Sequence, residues 1–264
     1  MSLLEYGFFR NALIGILFIS VAAAIIGTYV IIRRLVAITG GVTHACFGGL
    51  GLGYFLGWNP LIMAAFFAIA SALGVEWMSS NHKVRSDSAV AVIWALGMAI
   101  GILFVFLTPG YVPELNSFLF GNILTITLTD IIIFGAFTLI LLVFYFLCFN
   151  SIVVVAFDRD YSAVSGQPVK FINMCMAILV AICVVLTIKM VGIMLLMSMF
   201  SLPALIAETR CNSFRSITLW AVIISVVTCV SGLVISAYID VPCSAIIVII
   251  QVVLFAIGRL FTKR

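Results

Sequence analysis

Long uncharged apolar runs broken by short polar stretches follow one another along the whole chain. Nine of them span residues 12–32, 35–56, 60–75, 89–107, 131–149, 171–188, 190–207, 217–239 and 241–258. About 20 apolar residues are enough for a helix to cross the hydrocarbon core of a bilayer. Within lipid every backbone polar group must be satisfied inside its own segment, so the runs predict helices. Two neighbouring pairs are separated only by Lys189 or by Asp240, where re-entrant or broken helices are the alternative to full spans. The pattern predicts an all-α polytopic transmembrane bundle of eight to nine spans, forming one domain over 1–264.

Composition removes the competing classes. Hydrophobic residues make up 65% of the 264 and charged residues 8%, against roughly 25% charged in soluble domains. Soluble enzymes, nucleic-acid binders and secreted disulfide scaffolds are thereby disfavoured. The seven cysteines are odd in number, form no CxxC pair and lie mostly in apolar runs, so they read as small inert core residues. No cleavable signal peptide is expected, because the first apolar run is too long for a signal core.

The placement of charge predicts orientation. With nine spans and an outside N-terminus, Arg33, Arg34, Lys83, Arg85, Arg159, Lys170, Arg210, Arg215, Arg259, Lys263 and Arg264 fall on the inner side. Only Arg10 and Lys189 fall outside, so 11 of the 13 cations are inner, and the positive-inside rule places the N-terminus out and the C-terminus in. Two connections exceed plain turns. The outer one, within 108–130, is expected to hold a short surface helix near 117–121, with Thr129-Asp130 capping the next span. The inner one, 150–170, reads as a solvated helix opened by Asp158-Arg159-Asp160 and stopped near Gly166, with Pro168 just beyond. Such a helix suits contact with another protein.

Candidate chemistry is sparse. The chain lacks a GxxxxGK[ST] phosphate loop, HExxH and a paired-cysteine motif, so ATP binding and a structural zinc are not expected of it. His44 is the one ionisable residue deep in an apolar run, and an ionisable group at membrane depth reads first as functional. The plain alternative is a neutral imidazole hydrogen-bonded within a packed bundle. Gly40, Gly41, Gly48, Gly49, Gly51 and Gly53 strip side chains from the same helix, allowing close packing or room for a passing ion. Thr43 and Cys46 are near enough to offer a hydroxyl or a sulfur, although Cys46 does not share the face of His44. Asp240 sits at the outer end of the eighth run, as a cation-attracting group or a solvated loop carboxylate. Glu76 is expected to snorkel toward water and pair with His82, Lys83 or Arg85. Pro203 predicts a kink before Glu208 and Arg210, and Met194, Met197 and Met199 read as core.

Six stretches together resemble one known family. They are YVIIRRLVA from Tyr29, Thr43-His44-Ala45 with its glycines, FLFGNILTITLTD from Phe118, FDRDYSAVSGQPV from Phe157, the run from Val191 ending in LPA at Ala204, and YIDVPCSAII from Tyr238. In this order they are similar to the ABC-3 family of metal-ion permeases of ATP-binding-cassette importers. The resemblance implies a non-enzymatic transport subunit in a bacterial cytoplasmic membrane, importing divalent zinc, manganese or iron as substrate, with no permanently bound cofactor. It implies a permease homodimer, a separate cytoplasmic ABC ATPase, and an extracytoplasmic metal-binding protein. Asp158, Arg159, Asp160, Gly166 and Pro168 would form the ATPase-coupling segment, and His44 and Asp240 the metal pathway. Family members carry an aspartate four residues before the histidine, where this chain has Gly40. A permease for a metal chelate such as a siderophore or haem is therefore the runner-up, and an ion-coupled secondary carrier is less favoured because no internal repeat or row of intramembrane acids is present.

Overall fold

The computed structural model describes residues 5–81, 85–109, 121, 123–157 and 159–261. Among these the chain forms α1 (Gly7–Ile32), α2 (Val36–Leu56), α3 (Pro60–Asn81), α4 (Ser86–Leu107), α5 (Leu128–Leu147), α6 (Phe149–Phe157), α7 (Arg159–Val164), α8 (Val169–Glu208), α9 (Phe214–Ile239) and α10 (Cys243–Phe261), with a 3-10 turn at Ile123–Thr125. No strand occurs among the described residues. Eight helices are long and apolar enough to cross a membrane.

One of the eight folds back on itself. A straight α8 of 40 residues would be about 60 Å long at 1.5 Å per residue, twice the roughly 30 Å of a hydrocarbon core. Inside it Gly192 has φ 80 and ψ 170, a conformation essentially reserved for glycine. The contacts along α1 show the consequence. Asn173 of α8 accepts a hydrogen bond from Tyr29, Met190 lies against Gly15 near the other end of α1, and the Phe200 carbonyl lies against Gly27. Phe200 thus returns to within two residues of the level of Asn173, so the arms 169–191 and 193–208 run antiparallel along α1. The described residues therefore pass through the bundle nine times, with the break at Gly192 and not at Lys189 as the charge pattern suggested. Pro203 lies inside the second arm without a break in helical dihedrals, because its fixed φ is compatible with a helix whereas Gly192 takes a positive one.

Two ends of the bundle follow. One carries the C-terminus of α1 with Arg33, the start of α2, the end of α3, α6, α7 and the start of α8; the other carries Lys189 and the start of α5. At the Lys189 end, α5 begins with a capping box: Thr127 Oγ1 accepts from the Asp130 amide at 3.3 Å, and Asp130 Oδ2 accepts from the Thr127 amide at 3.2 Å. The cap is therefore Thr127, with Asp130 as its third-position partner, which corrects the expected Thr129-Asp130 cap. The surface helix expected near 117–121 lies outside the described residues except for Gly121, whose backbone packs against Val191 and Gly192.

Close backbone approach holds α2 between α3 and α4. A Cβ on Gly97 of α4 would sit 2.5 Å from Ala45 Cα, one on Gly101 2.5 Å from the Phe47 carbonyl oxygen, and one on Gly53 2.7 Å from Pro60 Cα. In lipid, where apolar surface offers no net drive for helix association, such small-residue contacts supply the packing. All seven cysteines are free, with Cys46, Cys183 and Cys229 fully buried, as their apolar surroundings implied.

Candidate functional site: a histidine on the glycine-packed helix

His44 occupies the ninth position of α2, well away from both helix ends. Its ring stacks flat on Trp94 of α4, with centroids 4.4 Å apart and planes 3° apart, and Phe47 lies 6.3 Å away. The stack is possible because α2 and α4 approach so closely one turn further on, at Ala45 and Gly97. His44 Nδ1 is buried with no hydrogen-bond partner. A buried polar atom left unsatisfied costs about 1–3 kcal/mol, and Nδ1 makes no bond to a neighbouring carbonyl.

The other donors on α2 are engaged by their own helix. Thr43 Oγ1 donates to the Thr39 carbonyl at 2.7 Å, and Cys46 Sγ donates to the Val42 carbonyl at 3.1 Å. Gly40, one turn before His44 and on the same side, differs from the other glycines. A Cβ there would meet only Met197 Cε, at 3.1 Å, the mobile tip of a side chain from the second arm of α8. Most of the glycines on α2 serve helix packing, while Gly40 opens a notch filled by a thioether. Met199 is buried, Met197 half-buried and Met194 exposed. Among the described residues no three His, Cys, Asp or Glu side chains come together as a metal cage.

Asp240 is the exposed C-cap of α9, with φ 56, in the turn leading to α10. Among the described residues Asp240 makes no hydrogen bond or ion pair with His44. Glu76, half-buried near the end of α3, accepts from Asn173 Nδ2 at 3.3 Å; of its expected partners His82 and Lys83 lie outside the described residues, and Arg85 is exposed before the start of α4. In the 150–170 segment, Asp158 also lies outside the described residues. Arg159 and Asp160 open the six-residue α7, Gly166 takes φ 75 just after it, and Pro168 is the N-cap of α8. Ser151 Oγ donates to Gln167 Oε1 at 2.8 Å, tying α6 to the turn beyond α7. Phe157, Tyr161 and Val164 are exposed here, Val164 by 89%.

Three polar sets were not legible beforehand. Lys189 pairs with Asp130 across 59 residues of sequence. Ser198 donates to Gln251, whose Nε2 donates to Thr228 Oγ1 at 3.1 Å, joining α8, α10 and α9 in the interior. Arg33, Tyr29, Asn173 and Glu76 form a network at the other end. Only the polarity of Gln251 and Asn173 inside apolar runs could have flagged them.

A model of the ABC 3 transport family matches residues 5–262. The chain belongs to that family. A membrane protein of Synechocystis, slr2045, is 32% identical over 98% of this chain and 92% of its own length. The manganese transport system membrane protein MntC of Halalkalibacterium halodurans is 26% identical over 99% of this chain and 90% of its own. The solved structure of PsaBC from Streptococcus pneumoniae in complex with Fab superposes with a TM-score of 0.86 at 25% identity, covering 98% of this chain and 94% of that one. The resemblance read from the sequence stretches is thus borne out at the level of family and fold, and the chain is an ABC-type permease with a multi-pass membrane fold.

Proposed function

We propose that this permease imports a divalent metal ion across a bacterial cytoplasmic membrane, passing it alongside α2 at the level of His44. The buried, unpartnered His44 Nδ1 carries the reading. It supplies a lone pair or a hydrogen bond at membrane depth, beside a notch at Gly40 that only a flexible methionine tip fills. The manganese-transport relative supports a metal as the substrate.

The N-terminus lies outside and the C-terminus inside. This reading rests on the cation asymmetry, with Arg33, Arg85, Lys170 and Arg210 at the Arg33 end and Arg10 and Lys189 at the other. A separate ABC ATPase docks at the inner face on the segment 158–168. Exposed Phe157, Tyr161 and Val164 at a water-facing end support a protein partner there. An extracytoplasmic binding protein delivers the ion, and two copies of the chain form the functional permease, with Asp240 at the outer mouth. ATP acts only through contacts that differ between two states of the bundle.

The test is uptake in cells co-expressing the chain with its ATPase, using radioactive or mass-detected manganese, zinc and iron, each as free ion and as chelate. ATP-dependent free-ion uptake that falls at least about tenfold in His44→Ala is expected. Uptake equal to that of an ATPase-dead pair would sink the reading, and chelate uptake unaffected by His44→Ala would move the substrate to a chelate.

A further inference from the structure

The segment 158–168 leaves and re-enters the bundle through two stems. The first is α6, ending at Phe157, and the second is the first turn of α8, after Pro168. Arg33, at the C-cap of α1, reaches both. Its Nη1 donates to the Val155 carbonyl at 3.1 Å on one stem and to Asn173 Oδ1 at 3.0 Å on the other. Val155 lies in the last four residues of α6, where carbonyls have no intrahelical partner. A cation there also meets the negative end of the helix dipole.

The grip continues into the bundle. Tyr29 OH donates to the same Asn173 Oδ1 at 3.3 Å, and the Arg33 guanidinium lies 5.7 Å from the Tyr29 ring centroid. Asn173 Nδ2 then donates to Glu76 Oε1 on α3 at 3.3 Å. Asn173 is 5% exposed and Tyr29 3%, so these bonds form out of water. A partly buried guanidinium is tolerable only where its donors are used, and here one nitrogen serves two acceptors that flank the segment in sequence.

We propose that Arg33 staples both stems of the ATPase-docking segment to the end of α1, so that a displacement of that segment moves α1, α8 and, through Asn173 and Glu76, α3 together. Arg33 is a positioning residue for coupling, and this role rests on the reading of 158–168 as the ATPase dock. The planar fork of arginine suits two acceptors in fixed directions, which the single ammonium of lysine matches less well. Arg34, exposed beside it at φ 56, is the matched control for loss of one charge at the same place.

The full chain is prepared in lipid nanodiscs, and as a complex with its ATPase in proteoliposomes, for wild type, Arg33→Gln, Arg33→Lys, Arg34→Gln and Asn173→Ala. Hydrogen exchange in the nanodisc is expected to be faster by about tenfold at 153–157 and 169–174 in Arg33→Gln, unchanged in Arg34→Gln, and intermediate in Arg33→Lys. In the proteoliposome, metal imported per ATP hydrolysed is expected to fall several-fold in Arg33→Gln while ATP hydrolysis persists, with Arg33→Lys restoring part of it. Should Arg33→Gln not assemble, Asn173→Ala releases the second stem together with its bonds to Tyr29 and Glu76, and is expected to raise exchange at 169–174 while leaving 153–157 unchanged. Exchange identical to wild type in Arg33→Gln, or in Asn173→Ala if that variant replaces it, overturns the staple. Faster exchange with import per ATP within twofold of wild type overturns its role in coupling. If the wild-type complex shows no ATP-dependent import, the metal-import reading falls, and the exchange measurement still decides the staple.

Discussion

Replacing Gly97 by alanine adds one methyl group at the closest approach of α4 to α2. That carbon would lie 2.5 Å from Ala45 Cα, 2.9 Å from Ala45 Cβ and 3.1 Å from the Ala45 carbonyl oxygen. Two of these three atoms are backbone, so no side-chain rotation relieves the clash and the helices must separate by about 1 Å. Overpacking of this kind costs about 1–3 kcal/mol. For a chain of this size each kcal/mol shifts the melting midpoint by about 2–4 °C, so Gly97→Ala is expected to melt about 2–12 °C below wild type. The separation also loosens the Trp94 ring from His44, since Trp94 lies one turn before Gly97 on α4 and His44 adjoins Ala45. Gly40→Ala is the control, because its new carbon meets only the tip of Met197, and it is expected to melt within about 2 °C of wild type. Intrinsic fluorescence during thermal unfolding in detergent, with uptake measured on the same variants, reads both effects. A Gly97→Ala midpoint equal to that of wild type, or an equal loss in Gly40→Ala, would refute the claim that glycine packing and the Gly40 notch have different causes.

The hairpin tip of α8 is expected to be sensitive at two points. Gly192→Ala forces a Cβ into the φ 80, ψ 170 conformation, at a cost of order 1–3 kcal/mol, and should lower the melting midpoint; an unchanged midpoint would mean the hairpin is not built on that residue. Asp130 and Lys189 should show a coupling energy of about 0.5–2 kcal/mol in a double-mutant cycle of Asp130→Asn and Lys189→Met. Additive effects would mean the pair contributes nothing to holding the tip against α5. Gly40→Asp, which displaces only a methionine tip, is expected to fold and to change the metal preference of uptake by placing a carboxylate one turn from His44; an uptake profile identical to wild type would remove Gly40 from the pathway.

Most of the architecture was legible because lipid leaves one structural option to a long apolar run. The nine runs correspond to the nine passes, and the segment around Gly166 stops a short helix as its glycine suggested. The misplacements share a cause. The break in α8 was put at Lys189 on the assumption that a charge interrupts a helix, yet Lys189 keeps helical geometry because Asp130 is there to receive it. The true break requires a backbone conformation that only the adjacent glycine provides, and neither that need nor the ion pair is a property of local sequence. Pro203 sits inside the second arm with helical dihedrals, so the proline does not end the helix as Gly192 does. His44 was found because an imidazole at membrane depth is conspicuous by itself. Arg33 passed as one more inner cation, because its meaning depends on Val155 and Asn173, separated from it by 122 and 140 residues.

The distribution of contacts bears on how such a bundle could hold two states. Within α2, α3 and α4 the contacts at Gly53, Gly97 and Gly101 set backbone against backbone, and any relative shift there must separate helices or collide main chains. Across the seam between α2 and the second arm of α8, the recorded contact at Gly40 is with Met197 Cε, and a thioether side chain yields by rotation at little cost. At the Arg33 end Asn173 of α8 donates to Glu76 of α3, and hydrogen bonds of this kind are individually worth about 1 kcal/mol. Sliding α8 past the three-helix unit meets a side-chain tip at Gly40, where sliding within the unit meets main chain, and packed units move between discrete arrangements more than along a continuum. His44 lies on the rigid side of that seam, its ring held by Trp94 and its nitrogen left free. A shift of α8 against α2 would change what faces the imidazole while Trp94 keeps its ring in place.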